Sequence, residues 1–277
     1  MTDSTLSPKP VIVDDLTVHL YHGGKPPSAA RPAVILLHGA GHDHSVWTYQ
    51  ARHLAHHGFS VFAPDLPGHG RSDGVPLAHI EALADWTARL VTALGLTRAA
   101  LVGHSMGSLI ALACTARHPD RVSALVLVGS VAPMPVAEPL LRAASDDRDR
   151  AHAMINQWSH APRTQLGISP LPGMRPTAMN RRLMERQHAG VLAVDLAACN
   201  AYADGLAAAA AVTCPTLLVC GERDQMTPGR ATKPLRDALV NVTGGADLVT
   251  LAGAGHAMMI EAPAALGHRI GDFLMKT

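Results

Sequence analysis

No part of this 277-residue chain carries a run of one charge: 23 basic residues stand against 22 acidic ones. Without a basic run there is no electrostatic footing for nucleic acid or for an anionic membrane surface. No uncharged apolar stretch is long enough to span a bilayer either. The start, Met1-Thr2-Asp3-Ser4-Thr5-Leu6-Ser7-Pro8, is polar and lacks the apolar stretch of a secretory signal. A soluble cytoplasmic protein that touches neither nucleic acid nor membrane is the expectation. The four cysteines, Cys114, Cys199, Cys214 and Cys220, show no C-x-x-C spacing. Cys214 and Cys220 bracket a strand that would hold them roughly 20 Å apart, at about 3.3 Å per residue, so reduced thiols are expected. Internal repeats are absent, and aromatic side chains make up only 3% of the chain.

Histidine, by contrast, is abundant, with 17 copies. His42-Asp43-His44 invites a metal reading, but adjacent loop ligands with no helical i, i+4 partner make a poor cage, and no metal or cofactor is expected.

What is present is an alternation of apolar runs and helical patterns. Val11-Ile12-Val13 and Thr17 to His22 alternate around Asp14-Asp15 and predict an antiparallel hairpin at a sheet edge. Ala33 to Leu37 reads as a strand buried on both faces. A helix from Trp47 to His57, a strand Ser60 to Pro64 and a helix opened by Pro76 follow. Strand Ala99 to Val102, a helix to Arg117 and strand Ala124 to Val128 complete an alternation that demands a parallel sheet covered on both faces. From Ala132 to Val212 there is no convincing strand, only helical stretches at Pro139 to Trp158, Pro176 to His188 and Val191 to Ala211. Sheet building then resumes with Thr216 to Cys220, a helix over 231–240, strand Ala246 to Leu251 and a last helix from Pro263 to Met275. The expected fold class is therefore α/β, a mostly parallel twisted sheet with helices on both faces. Its core spans 1–131 and 213–277, and an inserted all-helical cap spans 132–212 as a lid over the strand ends.

Chemistry enters at Gly103-His104-Ser105-Met106-Gly107, between a strand and a helix. G-x-S-x-G at such a junction is a nucleophile elbow, in which small glycines let the backbone turn sharply and expose the serine hydroxyl. Alone it is weak, since average Gly and Ser usage would place one by chance in about one chain in ten of this length. A serine also needs a base within reach and a group that orients the base. Asp224 follows the strand ending at Cys220, and His256 follows the strand ending at Leu251. Loops at the carboxyl ends of parallel strands converge, so Ser105, Asp224 and His256 can meet. Singly, Asp224 also reads as a turn former before Thr227-Pro228, and His256 as a surface residue. In the order Ser, Asp, His at three strand ends they read as a triad. Glu222 is the local rival to Asp224. The oxyanion donors would be the N–H of Met106, free at a helix start, and that of Ala40 in the turn His38-Gly39-Ala40-Gly41.

These motifs resemble the α/β-hydrolase fold family from about Val11 to Leu274. The likeness rests on His38-Gly39 after a strand, Asp65-x-Pro67-Gly68-x-Gly70-x-Ser72, the Ser105 elbow, Gly221-x-x-Asp224 and Gly253-x-Gly255-His256. The resemblance implies Ser105 as nucleophile, His256 as general base then acid, Asp224 as its orienter, and a helical cap. Haloalkane dehalogenases and related epoxide hydrolases place Asp where Ser105 stands, which argues against both. Gly129 to Pro133 carries no carboxylate for an alternative acid. Ser108 stands where many such esterases have glycine, a change expected to affect helix packing more than chemistry.

The expected activity is cofactor-free hydrolysis of a small to medium hydrophobic carboxylic ester or lactone. The alternatives are C–C bond hydrolysis of ring-cleavage products, a perhydrolase, or, in another class, a ligand-binding module that keeps the triad. Candidate substrate-lining residues are Met134, Trp158, Tyr202 and Met258, methionine being adaptable to irregular apolar surfaces. His38 is a further candidate, with shaping of its turn as the competing role.

Overall fold

Residues 10–277 are described in the structure, a computed structural model. Val11–Val13 (β1) and Leu16–Val18 (β2) pair antiparallel, turning at Asp14 and Asp15, both at positive φ. This ribbon is a separate two-stranded sheet; beyond His19 only Leu20–Tyr21 (β3) reaches the main sheet. Ala33–Leu37 (β4), Ser60–Pro64 (β5), Ala99–His104 (β6), Val122–Val128 (β7), Thr216–Gly221 (β8) and Asp247–Leu251 (β9) complete it. The order is β3-β5-β4-β6-β7-β8-β9, with β3 antiparallel to β5 and all other pairs parallel.

The continuous apolar runs follow from this architecture. Val34 and Leu36 fall in one buried cluster, and Ile35 and Leu37 in another, because successive strand residues point to opposite faces. Each face must therefore be covered, and burying one such side chain is worth about 1.5–3 kcal/mol. Thr48–His56 (α1) packs on one face. Ile80–Ala93 (α2) and Met106–Arg117 (α3) pack on the other.

Six helices lie between β7 and β8: Glu138–Asp146 (α4), Arg148–Ser159 (α5), Pro162–Gln165 (α6), Pro176–Glu185 (α7), Val191–Ala201 (α8) and Gly205–Ala211 (α9). Leu140, Ile155, Met184 and Leu196 belong to a third apolar cluster, apart from the two that flank the sheet. Lys233–Ala238 (α10), Met258–Glu261 (α11) and Pro263–Leu274 (α12) finish the chain. The helix α9 packs on α3 and α10, while α11 and α12 join α1.

Several expected boundaries shift for local reasons. Pro76 does not open α2, which starts at Ile80; the chain at Pro76 passes so close to Gly68 that a Cβ there would sit 2.4 Å from the Pro76 nitrogen. The expected helix from Pro139 to Trp158 is two helices, because Asp147 leaves the helical region and its carboxylate caps the Arg150 N–H. The stretch from Val191 to Ala211 likewise breaks at Tyr202, where α8 and α9 meet at 69°. Among the described residues, no single helix is long and apolar enough to cross a membrane. All four cysteines are free thiols.

Candidate active site

Strand β6 runs straight into α3 through Ser105, whose backbone is held at φ 52° and ψ −120°. A left-handed φ costs a non-glycine residue on the order of 1–3 kcal/mol and persists only where the surroundings impose it. Here two glycines allow the imposition. A Cβ at Gly103 would lie 2.0 Å from the Gly107 carbonyl oxygen, and one at Gly107 would lie 2.3 Å from that of Leu37. Strand, helix start and β4 therefore approach to a distance only hydrogen allows. Ser108, one turn into α3, hydrogen-bonds the Ser105 carbonyl at 2.5 Å and Ser130 Oγ at 2.8 Å, so its hydroxyl braces the turn.

The loops after β8 and β9 bring Asp224 and His256 together. His256 Nδ1–H donates to Asp224 Oδ2 at 2.8 Å. The rest of that carboxylate is occupied as well: Oδ1 accepts from the N–H groups of Met226 and Thr227, and Oδ2 from Thr227 Oγ1. Burial pushes the Asp224 carboxyl up, but the His256 ring and these donors outweigh it and hold the group at about 2. Asp224 is thus an ionised, immobile acceptor that holds a proton on Nδ1 of His256 and leaves the other ring nitrogen facing away from it. That nitrogen, Nε2, is buried without a hydrogen-bond partner. Glu222, the rival carboxylate, turns away and accepts the Gly253 N–H at 2.8 Å.

Ser105 and His256 line one cavity of about 180 Å³. Ala40, Met134 and Trp158 line it too, together with Leu140, Ile155, Leu196, Cys199 and Met259. Met106 is fully buried at the first position of α3. The other three lining candidates are elsewhere. Tyr202 sits in the core beside α3, and Cys199, nearly one turn earlier on α8, takes the cavity position. Met258 packs against the sheet, and its neighbour Met259 faces the cavity. His38 is fully buried and shapes its turn: Nδ1–H donates to the Gly39 carbonyl and Nε2 accepts from the Leu66 N–H. Burial, with His69 nearby, lowers its pKa to about 4, so it stays neutral.

Several lining residues escaped the sequence reading. His42 Nδ1 lies 2.7 Å from the Ala40 carbonyl oxygen, and its Nε2 lies 2.8 Å from Asn180 Oδ1. Asn180 and Gln225 add polar groups to the wall, beside His42, His104, Ser159 and Thr227. For metals, His42, Asp43 and His44 diverge, to Asn180, Arg186 and Asp65 respectively. Among the described residues, the potential ligand atoms of His19, His44 and Asp65 come within 4.8 Å of one another. The Asp65 carboxylate there is already taken up by hydrogen bonds from His44 and Arg71.

Chemically, the site offers a half-buried hydroxyl on a strained backbone, an imidazole held by a carboxylate, and a chamber lined mainly by apolar side chains. Comparison with known proteins adds the following. The sequence profile described as the alpha/beta hydrolase fold matches residues 32–263. A pimeloyl-[acyl-carrier protein] methyl ester esterase of Chromobacterium violaceum is 33% identical over 215 residues, covering 75% of this chain and 82% of that protein. A solved thermophilic esterase superposes with TM-score 0.78 at 25% identity, over 97% of both chains. The enol-lactonase of Burkholderia xenovorans LB400 shares the fold, with TM-score 0.78 at 24% identity over 95% of this chain and 98% of its own. The chain spans only about a third of some curated relatives: 36% of one from Mycobacterium phage D29 and 33% of one from Mycobacterium tuberculosis.

Proposed function

This chain belongs to the alpha/beta hydrolase family, and on that footing we propose that it is a serine hydrolase of small to medium hydrophobic carboxylic esters or lactones. Ser105 Oγ attacks the carbonyl while His256 Nε2 takes its proton. The N–H groups of Ala40 and Met106 hold the oxyanion, a contribution of about 2.7–4 kcal/mol per donor in comparable sites. His256 then protonates the leaving alcohol, and water, activated by the same nitrogen, releases the acid from Ser105. Asp224 keeps the imidazole oriented and stabilises its cationic form. No cofactor takes part.

The observation that carries the reading is the Asp224–His256 pair, whose Nε2 is buried and unpartnered in the cavity that Ser105 also lines. The apolar walls at Met134, Leu140, Ile155 and Trp158 support a hydrophobic acyl or alkyl group of modest size. The helical segment 132–212 serves as the lid over this chamber, on a core made of 1–131 and 213–277. Four free thiols fit a cytoplasmic setting. The methyl ester esterase relative from Chromobacterium violaceum and the solved thermophilic esterase support the reaction class.

The test is hydrolysis of p-nitrophenyl esters of graded chain length, of lactones and of a dienedione by the purified protein, with Ser105→Ala as control. Turnover of short to medium esters or lactones that disappears in Ser105→Ala is expected. Equal rates for both proteins on every ester and lactone would overturn the reading, and turnover of the dienedione alone would replace it with C–C bond hydrolysis.

A further inference from the structure

The peptide unit joining Ala40 to Gly41 is gripped at both ends by side chains. Its carbonyl accepts from His42 Nδ1–H at 2.7 Å, and its N–H donates to Asp195 Oδ2 at 2.7 Å. A peptide is planar, so fixing its oxygen and its nitrogen fixes the plane and restrains ψ of Ala40. The next peptide back carries the Ala40 N–H. The orientation of that N–H is thus restrained, through the next peptide, by two side chains, and both grips trace to the segment between β7 and β8. Asp195 lies on α8, and Asn180 of α7 holds the far side of the His42 ring.

Asp195 is an expensive way to hold one N–H. The same Oδ2 accepts from His69 Nε2–H at 2.8 Å, and both side chains are only 1% exposed. His69 Nδ1 lies 3.0 Å from the Pro67 carbonyl, so both ring nitrogens face acceptors, an arrangement that favours the doubly protonated ring. Burial disfavours that charge, but the Asp195 carboxylate outweighs it and raises the His69 pKa. Asp195 Oδ1 stays buried without a partner. A buried ion pair with a leftover acceptor is a poor source of stability, and an apolar pair of similar volume often does as well. Attachment of the helical segment does not depend on it either. Arg186 forms a two-pronged bond to Asp43, and Gln187 accepts the Gly70 N–H and donates to Asp43, over the same face.

We propose that Asp195, held by His69, is a positioning residue of the oxyanion turn: it locks the Ala40–Gly41 peptide so that the Ala40 N–H is aimed at the developing oxyanion. The proposal rests on the serine hydrolase reading above. It makes the helical segment a working part of the oxyanion hole as well as a cover for the chamber.

The test compares wild type, Ser105→Ala, Asp195→Asn and Asp195→Ala on p-nitrophenyl butyrate, with thermal melts to establish folding. Two inhibitors accompany it: an alkyl trifluoromethyl ketone, which forms a tetrahedral adduct with the serine, and the matching alcohol, which does not. Complete loss of an oxyanion donor costs on the order of 100- to 1,000-fold in kcat, so a loosened donor in Asp195→Ala should cost about 10- to 100-fold with KM within about threefold. The ketone should weaken in proportion and the alcohol hardly at all. Asp195→Asn keeps an oxygen for the Gly41 N–H but not the charge for His69, and should fall between the two; it carries the test alone if the alanine variant does not fold. A kcat within twofold of wild type in the folded variants overturns the proposal. So does a loss expressed in KM with both inhibitors weakened alike, which is the mark of a reshaped chamber. An inert Ser105→Ala beside a fully active Asp195→Ala refutes the clamp alone, whereas an active Ser105→Ala refutes the serine mechanism and the clamp with it.

Discussion

His104 Nε2–H donates to the backbone carbonyl of His256 at 3.0 Å, so the residue before Ser105 supports the loop that presents the histidine. Burial, with His256 and His42 nearby, drives the His104 pKa well down, and the ring is a neutral donor. His104→Ala should leave the His256 carbonyl buried and unpaired and open a void, lowering stability by about 2–4 kcal/mol in urea titrations and kcat about tenfold. An unchanged kcat in a folded variant would show that the elbow and the histidine loop hold their relation without this bond.

At Ser105 itself, the left-handed backbone makes an unusual prediction about stability. Glycine adopts that conformation without steric cost but gives up about 0.5–1 kcal/mol in chain entropy, against strain of about 1–3 kcal/mol for serine. Ser105→Gly should therefore abolish turnover while raising stability by about 1 kcal/mol, readable as a higher urea midpoint. A lower midpoint would place the strain elsewhere than at this residue.

Acidification tests the Asp224 environment. Its folded pKa is depressed from 3.8 to about 2, so its contribution is fully present above the unfolded value and is lost as pH falls through the folded one. That shift corresponds to about 2 kcal/mol. Asp224→Asn should be less stable than wild type near neutral pH, and the gap should shrink by about 2 kcal/mol between about pH 5 and about pH 2. A gap constant across that range would mean that the carboxylate is not specifically stabilised in the fold.

The strands were legible because burial on both faces leaves an unbroken apolar run, as in Ala33 to Leu37. The triad candidates were legible because each sits where a strand ends. Side choice within a helix was not. Tyr202 and Cys199 are three residues apart on or next to α8 and share one apolar cluster, yet of the two only Cys199 also lines the cavity. Adjacent Met258 and Met259 differ only in which way a four-residue helix faces, which composition does not record. Asp147 is a further case, since its capping bond to Arg150 outweighs a helical pattern that runs through it. Asp195 did leave a trace: it is the only charge in Val191–Ala201, and a lone carboxylate on an apolar helix has to find a buried partner.

Four side chains of the α7–α8 region, Asn180, Arg186, Gln187 and Asp195, reach residues of the two loops after β4 and β5. For protein engineering this sets a rule about modularity. A helical segment grafted from a relative to change substrate preference would strip partners from Gly41, His42, Asp43 and Gly70 at once, unless those four contacts travel with it or the receiving loops are exchanged as well.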